Sequence, residues 1–146
     1  MRKVTVYAVA LSVLLLGISC GDDPTPGPVG LGVGNRDSRL VCTDSEAWLS
    51  CFAIDGDDSG FDLCTGFAYR SKGDMFVAMG SKTSKNVAFI SVGQWSASGG
   101  VIRQIVNGDV VNENAYSLKG NTMVYAGNHG ETVTYTKMNT KSIQWN

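Results

Sequence analysis

The chain has 146 residues, of which 43% are hydrophobic and 17% are charged, and its formal net charge is −1. The basic residues are scattered and form no run, which argues against a nucleic-acid partner. The length allows one compact domain behind a leader segment.

The first 19 residues have the pattern of a signal peptide. Arg2 and Lys3 supply a positive start, and Val4 to Ile18 is almost wholly apolar. That apolar run has 15 residues, fewer than the roughly 20 that a membrane-spanning helix needs. Removal of residues 1–19 takes away Arg2 and Lys3, so the mature chain of 127 residues carries 10 basic and 13 acidic residues, a formal charge of −3.

The segment after the signal peptide predicts a membrane tether. Leu15 to Cys20 resembles a bacterial lipobox, and the resemblance implies that Cys20 receives a lipid and becomes the mature N terminus. Residues 20–39 predict a flexible tether, because they contain all three prolines, two adjacent acids and alternating glycines. Acids directly after a lipidated cysteine also resemble the export signal of surface-exposed lipoproteins in some Gram-negative bacteria. We therefore expect an outer-membrane lipoprotein of the cell envelope, which this export signal would expose at the surface, with plain secretion as the alternative.

The number of cysteines that can form disulfides depends on this processing. If Cys20 carries a lipid, then Cys42, Cys51 and Cys64 remain as disulfide candidates, and an oxidising compartment leaves one pair and one free thiol. If Cys20 is free, four cysteines allow two disulfides in three connectivities. Their spacing does not choose a pairing, and the absence of a Cys-x-x-Cys pair argues against a metal site.

The start of the domain, residues 40–146, has two interpretations. Thr43 and Glu46 have the spacing of a capping box, which favours a short helix over Thr43 to Phe52. The alternative is a strand in which Leu49, Cys51 and Ala53 alternate with their neighbours. In both interpretations Trp48 and Phe52 belong to the core, because large aromatic side chains mostly serve burial.

An acidic loop follows between Asp55 and Asp62. Asp55, Asp57 and Ser59 fall at positions one, three and five of a calcium loop. Position twelve is Gly66 where a calcium loop needs a glutamate, so we expect a surface turn, with weak calcium binding as the alternative.

From Cys64 onward, short β-branched or aromatic runs are separated by turns rich in glycine and asparagine. Val133 and Tyr135 alternate with Thr132, Thr134 and Thr136, which predicts one buried and one wet face. We expect a mainly all-β fold, an antiparallel up-and-down barrel of about eight strands, since closure removes the exposed sheet edges. The candidate strands are Thr65 to Arg70, Asp74 to Gly80, Asn86 to Val92, Gly100 to Val106, Ala115 to Leu118, Thr122 to Ala126, Glu131 to Met138 and Ser142 to Trp145.

Residues Thr65 to Asn146 resemble the small lipocalin-like barrels that occur as bacterial lipoproteins. The resemblance is carried by Lys72 to Asp74, Gly93 to Ser96, Ala115 to Met123, and Thr134 to Met138 with Ile143. It implies a lipocalin-like barrel that binds a small ligand in its mouth.

These patterns lead to one expected function and one alternative. We expect a non-enzymatic, lipid-anchored envelope protein that binds a small apolar or amphipathic ligand, with no cofactor. The alternative is a surface adhesion or inhibitor module that binds a protein partner through its loops. Catalysis is not expected, because His129 lies in a turn and no nucleophile elbow or phosphate loop is present. The candidates for lining a ligand cavity are Phe67, Met75, Phe76, Met79, Trp95, Tyr116, Met123 and Tyr125.

Overall fold

The structure, a computed structural model, describes residues 35–54 and 59–146. These residues form eight strands and two three-residue 3-10 helices, Ser38–Leu40 and Thr140–Ser142. No helix within the described ranges is long and apolar enough to cross a membrane. The strands are β1 (Glu46–Phe52), β2 (Leu63–Tyr69), β3 (Asp74–Ser81), β4 (Asn86–Ser98), β5 (Val101–Val106), β6 (Asp109–Lys119), β7 (Thr122–Ala126) and β8 (Thr132–Asn139).

The strands form a closed antiparallel barrel, as the sequence predicts. Each strand pairs with the next, and β1 pairs with β8 to complete the ring. Tight turns make this possible: Asn107 and Gly108 have φ of 54° and 90°, and Gly99 and Gly100 have φ of 60° and 75°. Positive φ at both central residues is what a two-residue type I′ hairpin requires.

Aromatic rings identify the face that points into the barrel. The Phe67 ring centroid lies 5.8 Å from that of Tyr125 and 5.7 Å from that of Tyr135. Because β2 neighbours neither β7 nor β8 in the ring, these contacts cross the interior. The two neighbours of Tyr135 on β8, Thr134 and Thr136, are exposed. The alternation predicted for β8 is therefore confirmed.

The residues before β1 form a strap, defined here as Asn35–Cys42, across one end of the barrel. Val41 bridges Tyr69 at the end of β2, and the Ala97 N–H of β4 donates to the Asn35 carbonyl at 2.8 Å. Leu40 is 0% exposed. The sequence assigns residues 35–39 to the tether, whereas the structure places them against the barrel, so the ordered part of the chain extends at least to Asn35.

The C-terminal tail, Thr140–Asn146, packs on the outside of the wall. Gly80 belongs to the outer face of β3, and a Cβ built there would lie 2.9 Å from the Trp145 ring. Trp145 makes a single parallel bridge with Phe61. The predicted strand at Ser142 to Trp145 is therefore wrong, and β1 occupies that place in the barrel because it pairs with both β2 and β8.

The predicted helix over Thr43 to Phe52 is also wrong. Glu46 N–H donates to the Thr43 carbonyl at 3.0 Å, and the Glu46 carboxylate accepts from Thr43 N–H at 2.9 Å. These contacts close one turn, after which the chain continues as β1. The reason is burial on both faces of the strand. Ala47, Trp48 and Leu49 are consecutive and all buried, and successive side chains of a strand point to opposite faces.

A disulfide among the three candidate cysteines is confirmed. Cys51 and Cys64 are register partners in β1 and β2 and are bonded to each other. Cys42, in the strap, is a free and buried cysteine, and burial raises the pKa of its thiol.

Candidate functional site

The candidate site is a cleft of about 500 Å³ beside the strap, called here the strap cleft. The strap forms one side, and the other side comes from the end of β4, the β4–β5 turn and the C-terminal part of β6. Its lining residues are Asn35, Arg36, Asp37, Arg39, Ala97, Ser98, Gly99, Gly100, Tyr116, Ser117 and Leu118.

Asp37 is the centre of the polar contacts in the cleft. Its Oδ2 accepts from the Tyr116 hydroxyl at 2.8 Å and from Arg39 Nη2 at 2.6 Å. Its Oδ1 accepts from Arg39 Nε at 2.9 Å and from the Arg39 backbone N–H at 3.1 Å. The hydrogen bonds from Arg39, followed by that from Tyr116, outweigh partial burial and lower the pKa of Asp37 to about 2. Asp37 is therefore a carboxylate throughout the neutral range.

Tyr116 reaches the cleft from β6 and acts as a hydrogen-bond donor. Burial, and then the bond to the Asp37 carboxylate, raise the pKa of the Tyr116 phenol to about 12. The hydroxyl keeps its proton at neutral pH, so Tyr116 is a positioning group for Asp37 and is not a nucleophile.

Arg36 joins the strap to the β2–β3 turn. Its Nη1 donates to the Ser71 carbonyl at 2.9 Å and its Nη2 to the Lys72 carbonyl at 3.3 Å. The guanidinium carbon lies 5.9 Å from the centroid of the buried Trp95 ring, a cation–π distance. The buried Nε atom of Arg36 has no hydrogen-bond partner in the described structure.

The β4–β5 turn supplies backbone and hydroxyl groups to the opposite side. Arg103 Nη1 donates to Ser98 Oγ at 3.2 Å, and Arg103 Nε pairs with Glu113 at 2.8 Å. The Gly100 carbonyl accepts from Tyr116 N–H at 2.9 Å. The turn is thus tied to β6, the strand that presents Tyr116.

Most of the ligand-contact candidates lie in the barrel core. Phe67, Met75, Trp95, Met123 and Tyr125 are buried, and Met79 is half-buried. Phe76 lies on the outer face, where its ring meets that of Phe89 edge-on. Of these candidates only Tyr116 lines the strap cleft. The ligand-binding role of the others stays a prediction.

The phenol rings of Tyr69, Tyr125 and Tyr135 are packed in the core. Tyr69 is 0% exposed, its hydroxyl has no partner among the described residues, and burial raises its pKa well above the ordinary value. Burial likewise raises the pKa of Tyr135 to about 12. These groups stay protonated at neutral pH and contribute no charge to the interior.

Sequence reasoning missed Arg36, Asp37 and Arg39, because they follow a glycine-rich segment and read as tether. The available signal was a charged cluster directly before the apolar residues Leu40 and Val41. In the structure the Asp37 side chain also caps the 3-10 helix that begins at Ser38, which explains an acid at this position.

Those of the remaining candidates that the structure describes form no second site. Asp55 and Asp57 of the calcium hypothesis, and Cys20, lie outside the described residues, and Ser59 Oγ donates to Asn146 Oδ1 at 3.1 Å. No group of three or more His, Cys, Asp or Glu side chains suited to a metal ion occurs in ranges 35–54 and 59–146. His129 is exposed, and its backbone N–H donates to the Glu131 carboxylate at 3.0 Å.

No protein-family description, curated protein or solved structure matches the chain. The functional argument therefore depends on the residues and geometry of the strap cleft.

Proposed function

We propose that this chain is a non-enzymatic binding protein of the cell envelope that holds a small amphipathic molecule in the strap cleft. A lipid on Cys20 attaches it to the outer membrane. The observation that carries the proposal is the cleft itself. Its volume of about 500 Å³ lies within the roughly 300–1,000 Å³ of small-molecule sites.

The lining supports an amphipathic ligand. Ala97, Leu118 and the Tyr116 ring provide apolar surface, while the strap provides Asp37 and two guanidinium groups. A ligand with one apolar and one polar part matches such a lining better than a purely apolar one does, because polar lining groups lose water on binding and need a partner.

The cysteines support the envelope location. A disulfide persists in oxidising compartments and is rare in the cytosol. One bridge and one buried thiol among Cys42, Cys51 and Cys64 are also what lipidation of Cys20 predicts, because four free cysteines would favour two bridges.

A protein-binding surface has less support. The exposed apolar side chains Ile54, Ile90, Val110, Val111 and Val124 are distributed over β4, β6, β7 and the segment after β1, and scattered apolar side chains are normal on protein surfaces. The small-molecule function is therefore the one that the geometry favours.

Binding of the neutral amphipathic dye Nile red to the mature chain tests the proposal. Fluorescence titration should show saturable binding at one site per chain. Leu118→Trp introduces an indole at a half-buried lining residue that lies on the same face of β6 as Tyr116, and we expect it to weaken dye binding at least about tenfold by filling the space.

Thr134→Trp is the matched control, because Thr134 is an exposed strand residue of β8 outside the lining. It should leave dye binding unchanged. Equal binding by the two variants would place the dye elsewhere and overturn the proposal.

A further inference from the structure

The titratable side chains that line the strap cleft carry a net positive charge. They are the guanidinium groups of Arg36 and Arg39 and the carboxylate of Asp37. Behind the lining, Arg103 and Glu113 form an ion pair at 2.8 Å and add no net charge. One positive charge therefore remains at the cleft when it holds no ligand.

Asp37 has no acceptor capacity left for a ligand. Oδ1 accepts two hydrogen bonds from Arg39, and Oδ2 accepts one from Arg39 and one from the Tyr116 hydroxyl. An ionised carboxylate offers about four acceptor positions, so all are occupied. A cationic ligand would have to displace Arg39 or Tyr116 before it could pair with Asp37.

The two arginines differ in what they leave free. Both terminal nitrogens of Arg36 donate to backbone carbonyls. No carboxylate among the described residues lies within ion-pair distance of Arg36. Its charge is therefore uncompensated. Arg39 uses Nε and Nη2 for Asp37, which leaves Nη1 as a donor on a side chain that is 70% exposed.

The β4–β5 turn adds further donors. Gly99 and Gly100 are the central residues of a two-residue hairpin turn, both with positive φ, and the ladder of such a hairpin does not use their N–H groups. Turn N–H groups of this kind favour anions.

We infer that the strap cleft selects ligands that carry an anionic group, a carboxylate or a phosphate, beside an apolar part, and that Arg39 binds that group. This inference rests on the proposed function. Asp37 holds the planar guanidinium group of Arg39 in place, and this fixes the direction in which the free Nη1 donates. Arg36 supplies long-range attraction, and the apolar part of the ligand contacts Leu118 and the Tyr116 ring.

Calorimetric titration of the full mature chain with decyl amphiphiles tests the charge preference. Sodium decanoate and decyl phosphate should bind at least about tenfold more tightly than decanol, the ratio that one charge-assisted hydrogen bond supplies. Decyltrimethylammonium should bind more weakly than decanol. Equal affinity for all four would overturn the anion inference and leave the proposed function intact.

Competition by acetate and inorganic phosphate shows whether the cleft binds a small anion alone or an anionic group that is attached to an apolar chain. If the ligand is amphipathic, both small anions should fail to compete with decanoate at equal concentration. If they compete as well as decyl phosphate does, the anion inference holds and the amphipathic ligand of the proposed function is overturned. If none of the probes binds, both are overturned.

Substitution of Arg39 tests the residue assignment. Arg39→Gln should weaken decanoate binding about tenfold and leave decanol binding unchanged, because it removes the charged donor and leaves a neutral polar side chain. Arg103→Gln is the matched control, since Arg103 lies outside the lining and is paired with Glu113. Equal loss of decanoate binding in both variants, or none in Arg39→Gln, would overturn the assignment.

Discussion

The strap and the C-terminal tail both pack against the barrel, but different interactions hold them. Leu40 buries the centre of the strap completely, and Trp48 Nε1 and Lys137 Nζ donate to strap carbonyls at 2.8–2.9 Å. The tail instead depends on Asp62, which is 3% exposed. The Asp62 carboxylate accepts from Ile54 N–H at 2.5 Å and Asn146 Nδ2 at 3.1 Å, and pairs with Lys82 at 2.9 Å.

This difference shows two ways to attach a chain segment to a closed barrel. The strap crosses an end of the barrel, where an apolar side chain can enter the core and neutral backbone groups find donors. The tail crosses the outer wall, where a small residue such as Gly80 lets the Trp145 ring approach the strand closely. The buried carboxylate of Asp62 fixes the position of the tail there. Strap attachment should therefore respond mainly to lost volume and tail attachment mainly to lost charge.

The largest expected effect is loss of the strap anchor. Leu40→Ala should lower the free energy of unfolding by about 2–5 kcal/mol, because it removes a fully buried side chain and leaves a cavity. Urea denaturation measures the change. Ile54→Ala is the control, since Ile54 is 45% exposed, and it should change stability by less than about 0.5 kcal/mol. Similar values for the two variants would mean that the strap is not part of the core.

The next effect concerns the bridge beside the tail. Cys51 and Cys64 are separated by 13 residues, and closing a loop of about 15 residues stabilises a fold by about 3 kcal/mol in the chain-entropy account. The double variant Cys51→Ala/Cys64→Ala should lose about that amount. Addition of dithiothreitol should lower the urea midpoint of the wild-type chain and leave that of the double variant unchanged. A shift in both would mean that the chain forms another disulfide.

A smaller effect distinguishes the indoles of the two segments. Trp48→Phe leaves the buried Leu40 carbonyl without its 2.9 Å donor, at a cost of about 1–3 kcal/mol. Trp145→Phe should cost less, because the Trp145 indole N–H has no acceptor among the described residues and its side chain is half-buried. Unfolding of the two variants in urea provides the measurement, and the reverse order would contradict the proposed difference.

The last effect concerns the charge that holds the tail, and it is measured as the loss of stability in acid. The backbone N–H of Ile54, then Lys82, lower the pKa of Asp62 to about 2, below its ordinary value of 3.8. The unfolded chain therefore binds more protons between about pH 4 and pH 2, and the stability contributed by Asp62 is complete above that window and is lost as the pH falls through it.

Urea midpoints across this window should show the effect. Asp62→Asn should reduce the slope of stability against pH, and Asp37→Asn should reduce it separately, because the pKa of Asp37 is also lowered to about 2. At neutral pH, Asp62→Asn should destabilise more than Asp37→Asn does, since the Asp62 side chain is 1% exposed and that of Asp37 is 14% exposed. An unchanged slope in Asp62→Asn would remove the charge argument for the tail.

Local patterns in the sequence predict much of the barrel. The bounds predicted for β7, Thr122 to Ala126, are confirmed to the residue, and the predicted inward face of β8 is confirmed by Tyr135. Strand alternation and turn residues act over a few positions, so they can be read from the chain directly. β4 and β6 are longer than predicted because each continues through residues that read as a turn or loop, such as Ser96 and Glu113.

The missed features depend on contacts between distant residues. The capping-box spacing at Thr43 and Glu46 is real, yet the segment pairs with β2 and β8 on both sides, and this pairing outweighs helix propensity. Asp37 reads as part of a tether until Tyr116, far along the chain, donates to it.

The sequence by itself determined an all-β fold, the periodicity of its later strands, and a chain with a signal-peptide pattern and an odd set of cysteines in the domain. The tertiary structure alone decided that Cys51 pairs with Cys64, that the first strand closes the barrel, and that the strap and β6 create a cleft. The physical reason is range: turn chemistry and side-chain alternation are local properties, whereas pairing and cleft formation depend on which distant segments fold against each other.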